Sequence, residues 1–190
     1  RGWVDISDDN FIGNKKFVKK FLVGLEEWCK RKNYPFYFTT EASMNLADDE
    51  ELLAIRDNGG VVQATAFRSY LDTEKNNANV AALAALRGSI AQELDFTLLE
   101  GAAVRALSED DRAAYDERMA RINALAAPRI AAEVDAVAPP VNVADFVNHI
   151  DYMVDLIGIE HVGISSDFDG GGGVAGWNDA SETFNVTLEL

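Results

Sequence analysis

Apolar positions along the chain follow two rhythms. Short apolar runs at Trp3 to Ser7, Phe36 to Thr40, Val61 to Phe67 and His161 to Ser166 read as strands, with Val162 and Ile164 suited to a buried one. Between the first two, Phe17, Val18, Phe21, Leu22, Leu25 and Trp28 recur at the spacing of one helix face, with lysines on the other side and an end near Asn33. Asp8-Asp9-Asn10 supply turn and cap residues ahead of it. Asp48 or Asp49 caps a further helix through Asp57, which Asn58-Gly59-Gly60 closes. Asn142 then opens a helix whose apolar face is Val143, Phe146, Val147, Ile150, Met153, Val154 and Ile157, and Gly158 ends it. Strand, helix, strand in repetition predicts parallel pairing with right-handed crossovers.

Residues 72–140 break the rhythm, since they contain no convincing strand. Val80 to Gln92 reads as helix, and Ser108 is a good N-cap followed by Glu109, Asp110 and Asp111, acids that favour a helix start. Pro128 bends or divides this second helix, and Pro139-Pro140 ends the stretch. The segment reads as a helical insertion, serving as a lid, an oligomer contact or an ordinary solvated helical pair. Its alanine-rich faces offer little apolar area per residue, which predicts looser packing than elsewhere.

The chemistry gathers at the tip of the last strand. There Asp167 and Asp169 arrive as the apolar run stops, and Gly170 to Gly173 let the backbone fold tightly around whatever the acids bind. In parallel α/β folds the carboxyl ends of strands carry the ligand chemistry, so both acids read as site residues.

At these residues the chain resembles the renal (membrane) dipeptidase family, zinc-dependent (β/α)8 barrels of the amidohydrolase type. The matching words are NHIDYMVDLIGIEHVGISSDFDGGG from Asn148, WNDASETFNVTLEL from Trp177, LLAIRDNGGVVQ at 52–63 and, more weakly, VDIS at 4–7. The resemblance implies a single partial TIM-like barrel domain over 1–190, about the C-terminal half, cut at both ends and carrying the insertion at 72–140. Eight strands and about 250 residues make a whole barrel, and four strands are countable here. It further implies hydrolysis of dipeptides or related small amides at a two-zinc site, where paired metals activate water and polarise the scissile carbonyl.

Carried over residue by residue, the resemblance gives Asp167 the role of contacting substrate and shuttling a proton, with Asp169 beside it on the substrate side. The family's early His-x-Asp and its bridging glutamate lie outside the sequence. Its two later metal histidines fall on Asp8 and Thr40, and its substrate-carboxylate arginine has no counterpart in MNLADDEEL. Asp8 and Glu41 are the candidate replacement metal ligands. An all-oxygen set of that kind favours magnesium, manganese or calcium over zinc, and the plainer alternative is a helix cap for Asp8 and a solvated loop acid for Glu41. Of the 2 histidines, His149 sits on or beside the exposed flank of its helix, and His161 lies at the wrong end of its strand, about 20 Å from Asp167. Both read as structural.

Composition excludes some functions. A net charge of −15 repels phosphate backbones and anionic membranes, which argues against nucleic-acid partners. No apolar run reaches the roughly 18–20 residues of a membrane span and no signal peptide is visible, so the expectation is a soluble protein, cytoplasmic or periplasmic. A single cysteine, Cys29, rules out an internal disulfide and reads as a small buried hydrophobe. Gly171 to Gly176 formally fits a dinucleotide-binding glycine pattern, but Asp167 and Asp169 stand where phosphate would approach. Asn185-Val186-Thr187 is a glycosylation sequon without a secretory context. Two functions remain open: a metallodipeptidase segment, with a homo-oligomer possible, or a non-catalytic or metal-poor descendant that binds a small molecule or a partner.

Overall fold

A computed structural model describes residues 2–7, 11, 13–40 and 50–190. In chain order the elements are β1 (Gly2–Ile6), α1 (Lys15–Arg31), β2 (Phe36–Thr40), α2 (Glu50–Asp57), β3 (Val62–Thr65), α3 (Arg68–Leu71), α4 (Thr73–Glu93), α5 (Gly101–Arg105), α6 (Glu109–Ala126), α7 (Val143–Ile157), β4 (Val162–Ser165) and α8 (Thr183–Glu189). The protein is mixed α/β and mostly helical. It divides into two compact units, residues 1–63 with 151–163, and residues 64–150 with 164–190.

In the first unit β1 and β2 pair in parallel, from Gly2 opposite Phe36 to Ile6 opposite Thr40. A parallel pair needs a crossover, and α1 supplies it. Asn14 starts that helix, its Oδ1 accepting the Phe17 N–H at 3.1 Å, so the cap falls later than the Asp8 to Asn10 stretch, whose residues lie outside the described ones. Val18 and Cys29 are buried on the apolar stripe of α1, and Trp28 stacks on Phe36 with ring centroids 6.0 Å apart. On the opposite face of the sheet Trp3 and Tyr37 contact each other while remaining open to solvent. Two strands alone cover one face of a crossover helix and leave the other face wet.

The described strands form two two-stranded sheets, β1 with β2 and β3 with β4, rather than one continuous four-stranded array. That corrects the picture of strand 161–166 as buried, because Ile164 is 46% exposed. Alternation along a strand assigns a side chain to a face, but a face is dry only when another layer lies on it.

The second unit holds a hydrophobic cluster of Leu86, Ile90 and Ala91 from α4, Ile122 and Ala126 from α6, and Val134. Burial across 72–140 is otherwise sparse, and most side chains of α6 are exposed, in keeping with its alanine-rich faces. Small alanine side chains bring less apolar area per residue, yet they let helices approach closely enough to bury the larger ones completely. Asp72 caps α4 by accepting the Lys75 N–H at 2.8 Å, and Ser108 caps α6 by accepting the Asp111 N–H at 3.2 Å. Pro128 falls in the 3₁₀ turn Ala127–Arg129, which is followed by a π-helical turn at Ala131–Asp135. The missing N–H of proline thus ends α6 where the sequence predicts the break.

In α7, Asn142 Oδ1 accepts the Asp145 N–H at 3.2 Å and Asp145 Oδ2 accepts the Asn142 N–H at 2.8 Å, a reciprocal cap. Lys75 ties α4 to the same carboxylate at 2.6 Å. Gly158 ends the helix at φ +90°, a backbone setting that a side chain would strain.

Ile122 is fully buried and Ile159 is 74% exposed. Ile122→Ala is therefore expected to lower unfolding free energy by about 2–5 kcal/mol in urea titrations, and Ile159→Ala to change it by no more than about 0.5 kcal/mol.

Candidate active site at the carboxyl end of the last strand

The site grows from how β3 and β4 end. Ala66 follows β3, is fully buried, donates its N–H to the Ser165 carbonyl at 2.9 Å and accepts the Gly173 N–H at 2.7 Å. Phe67 bridges to Gly173. The segment 166–173 is thereby held at both ends, one on β4 and the other on the tip of β3.

Within it Asp167 takes φ +52°, a left-handed setting that aspartate tolerates better than most residues. Its carbonyl accepts the N–H groups of Gly170 at 3.1 Å and Gly172 at 2.7 Å, which closes the turn. A side chain at Gly170 would collide with the Asp167 carboxylate, and one at Gly172 with the backbone of Ser166 and Asp167. At Gly172 the chain has no room for a Cβ, and at Gly171 and Gly173 positive φ angles favour glycine.

Asp167 is half-buried and Asp169 exposed. Among the described residues no N–H or O–H group bonds the Asp167 carboxylate, so its oxygens stay free for a ligand. Phe168, between the two acids, anchors the turn by meeting Trp177 edge-on at 5.4 Å, and Trp177 in turn packs on Phe146 at 5.3 Å. The buried Trp177 indole donates to Thr183 Oγ1 at 3.0 Å, fixing the start of α8. One turn therefore presents two carboxylates outward and one aromatic ring inward.

The remaining candidates are placed differently. Asp8 and Glu41 lie outside the described residues. Thr40, at the metal-histidine position, donates its hydroxyl to the Ile6 carbonyl at 3.2 Å. Nearby, Asp5 accepts from Thr39 Oγ1 at 2.9 Å and from Ser7 Oγ at 3.2 Å, a cross-strand arrangement that the alternating pattern of β1 does not reveal. His161 Nδ1 sits 2.7 Å from the Gly60 carbonyl, and since a carbonyl only accepts, this nitrogen carries the proton and stitches the start of β4 to the turn before β3. That is a structural role.

His149 is half-buried beside the exposed Asn148; among the described residues its Nε2 has no hydrogen-bond partner, and burial holds its pKa below the usual imidazole value. Helical spacing sets the ring beside the apolar stripe, and packing in the second unit covers it. Two side chains carry no signal in the sequence. Arg68 opens α3 directly after Phe67, and its guanidinium donates to Asn178 Oδ1 at 2.8 Å. Asn178 is itself held by Glu182 Oε2, through its backbone N–H at 2.7 Å and its Nδ2 at 3.3 Å. A lone basic residue after a strand has no periodicity to mark it, and only the fold brings it to Asn178.

A two-zinc site needs several imidazole and carboxylate donors within reach of one another. Among the described residues no three His, Cys, Asp or Glu side chains gather closely enough to hold a metal ion. The described donor set does not fit the zinc pair. A separate hollow of about 380 Å³, lined by residues including Asn142, Ala175, Asn185 and Glu189, lies at the start of α7 and includes neither Asp167 nor Arg68. No described helix is long and apolar enough to cross a membrane.

Against known families, residues 36–190 match the sequence model of the membrane dipeptidases (peptidase family M19). Among curated proteins, an uncharacterized methyltransferase of Synechocystis sp. is 54% identical over 55 residues, 27% of this chain and 10% of that protein. The hopanoid C-2 methylase of Rhodopseudomonas palustris is 42% identical over 55 residues, 29% of this chain and 10% of that protein. The chain thus spans about a tenth of the length of each. No solved structure matches.

The half-buried imidazole of His149 has a pH consequence. With its folded pKa below the ordinary 6.5, His149 takes up a proton more readily when unfolded, so stability falls as pH drops through about 6.5 and is unaffected well above it. Urea midpoints at pH 8 and pH 5.5 are expected to differ less in His149→Gln than in the parent protein, and an equal pH response in both would remove His149 as a source.

Proposed function

We propose that this chain, which belongs to the membrane dipeptidase family, is a segment of a dipeptidase-type metallohydrolase whose parent activity is cleavage of dipeptides. Asp167 is the residue that contacts substrate and moves a proton, and Asp169 adds a second carboxylate on the substrate side. The observation that carries this reading is the half-buried Asp167 carboxylate, without a hydrogen-bond partner among the described residues, on a left-handed backbone closed by Gly170 and Gly172. A left-handed aspartate costs conformational energy, and such strain gathers at functional sites. The partial barrel expected from the resemblance is the matching architectural proposal, with β1 to β4 as its strands.

The metal reading is narrower. Among the described residues the donors do not fit a zinc pair. Asp8 and Glu41 remain the proposed oxygen ligands, of a kind better matched to magnesium, manganese or calcium than to zinc. Residues 1–190 are expected to bind zinc substoichiometrically after dialysis and to hydrolyse dipeptides poorly. In a longer protein that supplies the family's earlier ligands, Asp167→Asn is expected to lower kcat by about 10²–10⁴-fold, the usual worth of a positioned acid or base, while leaving metal content unchanged. Unaltered turnover in that variant would remove Asp167 from the chemistry; stoichiometric zinc on residues 1–190 with chelator-sensitive turnover would point to Asp8, Glu41 and Asp167 as ligands.

A second reading attaches to the 55-residue similarity to the two methylating enzymes. Residues 1–35, ahead of the family match, are too few to contain it, so the two similarities share part of the chain. We propose that it covers the amino-terminal part of the chain, where Asp8 and Thr40 stand in place of metal histidines. On this reading β1 and α1 are of methyltransferase type, while Phe36 onward falls within the dipeptidase match over 36–190. The double substitution Asp8→His with Thr40→His separates the readings. A diverged dipeptidase strand pair regains zinc affinity by at least tenfold, whereas a methyltransferase-type pair gains nothing.

A further inference from the structure

We infer that a hollow between the end of α4 and the face of α6 binds a small monocarboxylate built on one aromatic ring, with the ring against Phe96 and Tyr115 and the carboxylate on Arg118. None of its residues belongs to the Asp167 turn, and the inference does not rest on the dipeptidase reading.

The hollow follows from how α4 stops and α6 starts. Asp95 sits at φ +49° just past α4, its N–H returning to the Gln92 carbonyl at 3.1 Å and that of Phe96 to the Ala91 carbonyl at 2.9 Å. This is a left-handed helix stop, and it turns the chain so that the Phe96 ring meets Tyr115 of α6 with centroids 5.4 Å apart. Leu99 is tied to the same residue, since its N–H donates to the Tyr115 hydroxyl at 3.2 Å. At the start of α6, Ser108 Oγ accepts the Asp111 N–H and donates to Asp111 Oδ2, which fixes the preceding residue, Leu107. Asp111, Tyr115 and Arg118 then recur at the i, i+4, i+7 spacing of one helix face. With Phe96, Leu99 and Leu107 they line a hollow of about 200 Å³.

Size, lining and charge select the ligand. An apolar cavity of about 150 Å³ takes one benzene molecule, so this volume suits a single ring with a short substituent. Four of the lining side chains are apolar or aromatic, and the one hydroxyl among them is already engaged with Leu99. Arg118 Cζ lies 5.5 Å from the centroid of the Phe96 ring. A ring face attracts the positive charge, yet the guanidinium still has five N–H donors to place. Among the described residues none of them is taken by a carboxylate or carbonyl. The helix itself offers no acid: three and four residues away stand Ala114, Tyr115, Arg121 and Ile122, whereas Arg112 pairs with Asp116 at 3.2 Å. Asp111, the acid in the lining, is bonded to Ser108 at 2.6 Å and stands two turns from Arg118, about 10 Å along the axis. A carboxylate is thus drawn to the Arg118 end and repelled from the other, which sets the direction in which the ligand lies.

The test titrates the full chain with phenylacetate, its neutral amide phenylacetamide and the cation phenethylamine, following the Leu99 N–H and the ring signals of Phe96 and Tyr115 by NMR. Phenylacetate is expected to saturate and to bind about fivefold more tightly than the amide, the worth of one exposed ion pair, with the amine weakest. Arg118→Gln should bring the acid down to the level of the amide and leave the amide unchanged, while Arg118→Lys should keep part of the difference. Ala114→Phe, which fills the hollow from α6, should abolish binding of both. Arg118 and Ala114 are exposed, so these variants are expected to fold, which circular dichroism checks. Absence of saturable binding in the parent chain, equal affinity for acid and amide, an acid preference that survives Arg118→Gln, or tighter binding of the amine each overturns the assignment.

Discussion

Ala66 is the residue on which the local architecture turns. Its N–H reaches β4 through Ser165 and its carbonyl reaches the glycine turn through Gly173, while its methyl group is completely buried. A larger side chain has nowhere to go, and loss of either hydrogen bond would leave a buried backbone group unpaired at a cost of about 1–3 kcal/mol. The placement of every chemical group at the rim depends on this pair of bonds. The left-handed Asp167, the inward Phe168, the turn glycines and the outgoing Arg68 all take their positions from the closure of β3 onto β4.

Around that closure the second unit is built from polar ties at its helix ends and apolar burial along their lengths. Asp145 illustrates the arrangement, since one carboxylate caps α7 through Asn142 and also receives Lys75 from α4. The pair is only partly exposed, so it is less screened than a surface ion pair, and its geometry is fixed by the cap it completes. The first unit is organised differently. Its aromatic side chains, Trp28 on Phe36 and Trp3 against Tyr37, stand on both faces of a two-stranded sheet, one under α1 and the other in solvent.

How much of this can be read from sequence depends on the range of the interaction involved. The four strands, the start of α7 at Asn142 and its stop at Gly158 are legible because their causes are local: apolar runs, a side-chain cap and a positive-φ glycine. The Asp167 turn is legible for the same reason, since clustered glycines after a strand report a tight backbone directly. Exposure of Ile164 and the shielding of His149 Nε2 are not, because each depends on what lies across from it. The particular contact of α4 with α6 is also hidden, as alanine content describes one helix face and not the fit of two. Arg68 is silent in the sequence because its place is set by Ala66 and by Asn178, 110 residues away. Asp8 and Glu41 lie outside the described residues, and their part in any metal site rests on the sequence alone.

The helical cluster in 72–140 closes on itself: Leu86, Ile90, Ile122 and Val134 bury one another within α4, α6 and the π-helical turn. A core that is self-contained answers to its own selection. Paired changes among those positions can accumulate as long as volume is conserved, without disturbing the hydrogen bonds of Ala66 or the turn that bears Asp167. The two layers of the second unit are therefore free to evolve at different rates, with the Asp167 rim held by backbone contacts and the helical cluster drifting by compensated exchange. Lys75 and Asn79, which reach Asp145 and the Ala138 carbonyl, mark where that freedom ends.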